Sequence, residues 1–317
     1  MNYRFALALA VASAAVNGSV LAQLDVGVGD GTVALICGQT TNAGYRVRAM
    51  ATQRLGTTLC SNDVHALCTF LSSRVSADTE VSTNALAGIK NDVLNALVAQ
   101  QRLPDNLGQV LLDNYNDGWH DPVWRAFALQ HILPYYRRRW LRAYPPLGGG
   151  ASNLIGALLI EKAAMESNLW LAASGTNDDF CCIALRVLDG IIMSNGTVTT
   201  ARVSAAAAAV ANDESRSSGL RAHALEIASR HENKDVLATA RKCAKSADTP
   251  LLQHTAIRAL GVIGTQADEK LLEELAQSDD PVVRSVAADA LALYLDRHHR
   301  PKPHKPGCPC SHCRALS

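Results

Sequence analysis

The residues with the plainest chemical potential lie at the end of the chain, in Cys308-Pro309-Cys310-Ser311-His312-Cys313. Three thiols and one imidazole within six residues offer four soft or borderline ligands, a set suited to Zn²⁺ or Cu⁺. Cys308, Cys310, His312 and Cys313 are therefore the candidate metal ligands. Their C-x-C spacing is tighter than that of ordinary structural zinc sites. In an oxidising compartment the same thiols would pair with one another instead. The approach to them, His298-His299-Arg300-Pro301-Lys302-Pro303-His304-Lys305-Pro306, is basic and proline-punctuated, the composition of an extended tail.

Six further cysteines bring the total to nine, an odd number that leaves at least one thiol free or intermolecular after export. Cys60 and Cys68 flank the first expected hairpin turn and are candidates for a bridge, as is Cys37 with either. Cys181 and Cys182 are adjacent and point about 100° apart on a helix, which favours core packing over a bond between them. No cysteine has a local histidine that would mark it as a nucleophile.

A second chemical candidate is the run Tyr135-Tyr136-Arg137-Arg138-Arg139-Trp140-Leu141-Arg142-Ala143-Tyr144. Arginines interleaved with aromatics can bind anionic or π-faced ligands. They can equally form a helix end, with the rings packed and the guanidinium groups solvated. Gly27-Val28-Gly29-Asp30-Gly31 resembles a phosphate loop superficially, but no strand pattern precedes it and no helix pattern follows. His120-Asp121 reads as a helix entrance, and Glu161 and Glu166, five apart, fall on different helix faces, as solvated carboxylates do. His223, His231 and His254 stand at no ligand spacing. No G-x-S-x-G, H-E-x-x-H, P-loop or paired-carboxylate arrangement is present, so nothing positive supports an enzyme.

The elements that would position these groups are helices. In Asp279-Asp280-Pro281-Val282-Val283-Arg284, Asp280 is suited to cap a helix and Pro281 to open it. Val283, Val286, Ala287, Ala290, Leu291 and Tyr294 then form one apolar stripe at spacings of three and four. Looser copies of the frame recur upstream: Asp121-Pro122-Val123-Trp124-Arg125, Asp178 to Leu188, Ser215 to Leu225, and Asp248-Thr249-Pro250. The anchors Leu55, Leu97, Ile132, Leu188, Leu225, Leu260 and Leu291 are separated by 42, 35, 56, 37, 35 and 31 residues. Periods of this size signal a stacked helical array. The pattern resembles the HEAT repeat, particularly the short bacterial variety also found in phycobilisome lyase-type proteins. The resemblance covers roughly residues 44–297, with Ala259-Leu260-Gly261-Val262-Ile263-Gly264 among its carriers. It implies an all-α fold, an α-solenoid of stacked antiparallel helix pairs, whose concave face is the binding surface.

Composition agrees: 317 residues, 48% hydrophobic and 5% aromatic, with a formal net charge of +1. That is ample core material rich in helix formers, with no global pull toward nucleic acid or membrane. Residues 1–22 read as an export signal, with Arg4 before the apolar run Phe5 to Val16 and Gln23 as the new N-terminus. No later run is long enough to cross a bilayer. Residues 23–43 lack helical period and read as a linker or N-terminal cap, residues 44–297 as the solenoid and 298–317 as the tail.

The first hairpin is expected at Tyr45 to Thr58 and Val64 to Val75, with Asp63 as the cap of its second helix. Helices follow over Thr79 to Arg102 and Leu107 to Tyr115. Pro122 opens a helix that Pro134 must kink or end, and Ser152-Asn153 cap a long helix from Leu154 to Ala173. The remaining hairpins are 178–211, 215–245 and 250–277, which makes 281–297 a lone capping helix. About seven units result. With the Asp-Pro helix as the first of each pair, the inner helices are 64–75, 154–173, 199–211, 234–245 and 268–277. The sequence thus predicts an exported scaffold, periplasmic or extracellular, for a protein or peptide partner. A metal binder using the tail cluster, with Zn or Cu, is the alternative.

Overall fold

The computed structural model describes residues 31–40, 44–74, 81–141, 152–194, 198–246 and 249–299. The chain divides into two compact units, Met1–Arg102 and Leu103–Ser317. The described residues form helices and no strand, in the stacked antiparallel pairs of an α-solenoid. The first unit holds α1 (Gly31–Ile36), α2 (Tyr45–Thr52), α3 (Ser61–Ser72) and α4 (Thr83–Ala99). The second holds α5 (Leu107–Asn116), α6 (Pro122–Tyr136), α7 (Ser152–Ala173), α8 (Asp178–Met193), α9 (Thr200–Asn212), α10 (Ser218–Arg230), α11 (Leu237–Ala244), α12 (Pro250–Ile263), α13 (Gln266–Leu275) and α14 (Pro281–His299). A π-helical turn, Arg137–Leu141, extends α6, and a 3₁₀ turn, Lys234–Val236, leads into α11. Among the described residues no helix is long and apolar enough to cross a membrane.

The local expectations for α14 hold. The Asp280 carboxylate accepts from the amides of Val282 (2.8 Å) and Val283 (3.2 Å), and Pro281 is the first helical residue. Val283, Val286, Ala287, Ala290 and Tyr294 are buried along one stripe. Asp121 caps α6 in the same way, accepting from Val123 N at 2.8 Å.

The pairing phase differs from the expected one. Each odd-numbered helix packs most closely on the even-numbered helix that follows it, so the pairs are α1/α2 through α13/α14. The Asp-Pro helix is therefore the second member of its pair, and α14 is no lone cap, because α13 packs against it and α12 lies alongside. In the second unit the even helices α6, α8, α10, α12 and α14 also pack on one another as a continuous column. Small residues permit that approach: a Cβ on Gly261 of α12 would lie 2.7 Å from Ala290 O and 2.9 Å from Ala290 Cα of α14. The odd helices touch their odd neighbours far less.

Several boundaries also move. Helix α2 stops at Thr52, so the anchor Leu55 lies beyond it. Helix α3 begins at Ser61 with Cys60 as its cap, the Cys60 Sγ accepting from Asp63 N at 3.5 Å, so Asp63 sits inside the first turn instead of capping it. Part of the segment expected as linker or cap is helix α1. Pro134 does not end α6 at once: the helix continues to Tyr136, Arg137 N bonds both Leu133 O and Pro134 O, and the π turn follows.

Candidate functional site

One side chain recurs at the same place in almost every pair. Four residues after the N-cap of the second helix, a donor reaches back to the carbonyl at the end of the first helix. The series is Arg48 Nε to Ile36 O (2.9 Å), Arg125 Nε to Tyr115 O (2.8 Å), Cys181 Sγ to Ala173 O (3.1 Å), Arg221 Nε to Ala211 O (3.1 Å) and Gln253 Nε2 to Ala244 O (3.3 Å). In the last pair Arg284 Nη1 reaches Ser278 O at 2.8 Å, just past α13. Helix ends leave carbonyls without intrahelical partners, and these stitches satisfy one per pair. In α3/α4 the job falls to Lys90, one turn further along, whose ammonium donates to Leu71 O (2.8 Å) and Ser73 O (2.6 Å). Lys90 is 2% exposed, and burial lowers its pKa to about 8.

A second set of bonds ties pair to pair, at the C-terminal ends of the even column. Arg137, after α6, donates from Nε to Ser194 Oγ at 2.7 Å beyond α8. Asp189 of α8 is buried and accepts from Arg230 of α10, while its other oxygen lies 2.6 Å from His231 Nε2. Arg230 also holds Glu226 at 2.7 Å. Arg297 of α14 donates to Val262 O of α12 at 2.6 Å and to Glu232 at 2.7 Å, and Glu232 adopts a left-handed φ of 56°. At the N-terminal loops, Asp178 accepts from Ser217 N at 2.8 Å and Arg216 Nη1 at 3.0 Å. Burial alone would raise the Asp178 pKa, but those bonds hold it below the usual carboxylate value. Asp268 behaves likewise: burial is opposed by Arg241, whose Nε lies 2.6 Å away, and by Thr265, and the net shift is downward. The spacing of His231 gave no hint of its role, because its partner lies 42 residues away.

The outward stripe of the even column is exposed at one matching position in all five helices, nine residues after the N-cap: Gln130, Arg186, Glu226, Arg258 and Asp289. His223, one turn before Glu226, has its pKa lowered by burial and then by the neighbouring charge of Arg186.

The arginine–aromatic run is resolved as packing up to residue 141. Tyr135, Tyr136 and Trp140 are buried, with Trp140 edge-on to Tyr135 at 5.7 Å and tilted against Tyr136 at 4.8 Å. The Tyr135 hydroxyl donates to Glu161 and the Tyr136 hydroxyl to Glu166 at 2.8 Å. Burial and the Glu161 bond both raise the Tyr135 pKa. The two carboxylates, expected as solvated, thus anchor two adjacent tyrosines, and Arg139 adds its Nε 3.4 Å from Glu161 Oε2. Such a cluster ties the end of α6 and the π turn to α7.

A cavity of about 360 Å³ in the first unit is lined by Cys37, Gln39, His65, Ala66, Thr69, Phe70 and Ser73. Burial pushes the Cys37 thiol up to about 11, against a smaller opposing effect of Arg48, so it is protonated and a weak nucleophile near neutral pH. Cys37, Cys60 and Cys68 form no disulfide among the described residues. Cys60 caps α3 and Cys68 lies in its third turn, a separation of about 12 Å along the axis, too far for the disulfide expected from their flanking a turn. Cys181 is buried as expected. No group of three or more His, Cys, Asp or Glu fit to hold a metal occurs among the described residues. The candidate ligands Cys308, Cys310, His312 and Cys313, and the export signal, lie outside them.

Residues 204–292 match the family model of HEAT repeats, so the chain carries HEAT repeats in this stretch. The match begins in α9 and ends in α14, within the most regular run of stitched pairs. Among solved structures the chain is similar to human deoxyhypusine hydroxylase in complex with glycerol, at 15% identity and a TM-score of 0.31, covering 83% of this chain and 96% of that one. A likeness of that degree carries no functional argument. No curated protein matches the sequence.

Proposed function

We propose that the protein is an exported repeat scaffold that holds a protein or peptide partner on the face of its second helices. The observation that carries this reading is the contrast between the two columns of the second unit. The even helices pack on one another while the odd helices are spread, and a stack bends toward its closer-packed column. In a solenoid the inner side of such a bend is the extended binding surface. The lining therefore moves from the ranges expected from sequence, which contain the first helices α3, α7, α9, α11 and α13, to α6, α8, α10, α12 and α14. HEAT repeats in residues 204–292 support the scaffold role.

A photo-crosslinking residue at Gln130 or Glu226, compared with one at Ser167 or Ala205 on the odd column, tests the reading in the native host. Discrete adducts from the first two positions are expected. Adducts only from the second two would refute the assignment of the face. N-terminal sequencing of the mature chain from the periplasmic or extracellular fraction should begin at Gln23.

A second reading, metal binding by the tail, is favoured by the donor set of Cys308, Cys310, His312 and Cys313. It requires that the purified full chain carry stoichiometric Zn or Cu that is lost when the three cysteines become Ser.

A further inference from the structure

The arginines of the second unit divide sharply. Arg125, Arg221 and Arg284 are committed to the stitches. Arg137, Arg230 and Arg297 are committed to the bonds between pairs. Arg216 and Arg241 hold buried or loop carboxylates, and Arg202 stacks 3.9 Å over the Trp170 ring. Arg186 and Arg258 are different. Both are exposed, and neither has a hydrogen-bond or ion-pair partner among the described residues. They occupy the matching outward position of α8 and α12, with α10 between them.

What lies around them keeps their charge available. Between the two, Glu226 of α10 is already held by Arg230 at 2.7 Å. Beside Arg186, His223 is driven toward its neutral form by burial and by that same arginine, so it sets no second positive charge against the guanidinium. Gln130 continues the row on α6 without charge, and Asp289 of α14 marks its acidic end. The middle of the face is also open: a Cβ on Gly219, at the start of α10, would meet nothing within 4 Å. Two uncommitted guanidinium groups thus stand on one face, two helices apart. A guanidinium prefers a bidentate carboxylate to water-exposed isolation wherever one can be positioned.

We propose that this face binds an extended acidic peptide segment of the partner, whose two carboxylates engage Arg186 and Arg258. The inference rests on the reading of the even column as the binding face and names the partner chemistry. Packed helices lie about 8–10 Å apart, so the two arginines are roughly 16–20 Å apart across α10. An extended chain advances about 3.3 Å per residue, which sets the two acidic residues about five or six positions apart. The Arg–carboxylate pairs are exposed, so each is worth at most about a fivefold change in affinity, and added salt weakens both.

Random twelve-residue peptides displayed on phage, selected on the purified full-length chain, test this. Enriched sequences should carry two Asp or Glu residues five or six apart. Their affinity, measured with synthetic copies, should fall roughly threefold to fivefold for Arg186→Gln or Arg258→Gln and about tenfold or more for the double variant. Replacing the matching peptide carboxylate by its amide should then have no further effect. Circular dichroism checks that these exposed substitutions leave the fold intact. If enriched peptides lack the acidic pair but lose binding to a Gly219→Trp, Gln130→Trp chain, the acidic partner is wrong and the face is right. Peptides that bind that chain and the double arginine variant as well as wild type overturn both, as does a selection that enriches nothing.

Discussion

The two units solve the same problem, the unsatisfied carbonyls where a first helix ends, with different chemistry. In the first unit the donors are cations taken almost wholly out of water: Arg48 is 6% exposed and Lys90 2%. They lie on the Phe70 ring, at 5.4 Å and 5.8 Å from its centroid, and burial lowers the pKa of both. Arg48 also fits closely under Gly38, whose φ of +72° and whose would-be Cβ, 3.2 Å from the guanidinium, both call for glycine. In the second unit the donors are half-buried or exposed arginines, a thiol and an amide. A positive charge suits a helix C-terminus, but only where the protein keeps part of it hydrated is that gain free of a desolvation cost. The stitch is therefore a geometric requirement, and the donor's charge is a local choice with a pH dependence attached.

The largest expected effect breaks the comparison at Lys90. Its folded pKa of about 8 lies below the ordinary lysine value of 10.5, so the folded chain releases the proton first. Between those values the unfolded chain binds more protons, and stability rises with pH. The thiols of Cys37 and Cys68, raised by burial from 9.0 to about 11, act in the opposite sense from about pH 8 upward. Between pH 8 and 9 the Lys90 contribution climbs by about 1 kcal/mol while the two thiols together remove about 0.7, so hydrogen exchange of α3 and α4 amides should show a net rise of about 0.3 kcal/mol that turns over near pH 9. Lys90→Met should abolish the climb and cost about 2–3 kcal/mol at pH 9, where the amine is largely neutral and two carbonyls lose their donor. The deficit should shrink toward pH 7.

A smaller effect is expected at Arg125, whose guanidinium also lies 4.9 Å from the Phe180 ring centroid. Arg125→Met should lower the urea midpoint of the second unit by an amount equal to about 1–2 kcal/mol, with no pH dependence between 7 and 10. The smallest belongs to Cys181. Cys181→Ala should cost under about 1 kcal/mol, and Cys181→Arg should fail despite restoring the commonest donor, because this site is fully buried beside Ala173. A Cys181→Arg chain as stable as wild type would show that burial does not set the donor.

Much of this fold is legible in the sequence. Caps at Asp121 and Asp280, the proline openings and the stripe ending at Tyr294 are local facts, decided within a turn or two of helix. The donor four residues after each cap could also have been found, had the frame been extended past the arginines to Cys181 and Gln253. Other features leave no local trace. Asp189 and His231 are 42 residues apart, and Tyr135 finds Glu161 across 26. Neither spacing carries a helical period, because each pair is assembled by packing.

The frame from Asp280 to Leu291 determined by itself that this chain would be helices with one apolar face, repeated. Only tertiary structure decided which neighbour each helix takes as its pair. An apolar stripe records that a helix must be covered, but an array covers it from both sequence neighbours and from the next repeat. The two-residue link from α12 to α13, shorter than the five-residue link from α13 to α14, joins different pairs. Loop length could not settle the phase; the packing of α13 on α14, closer than on α12, does.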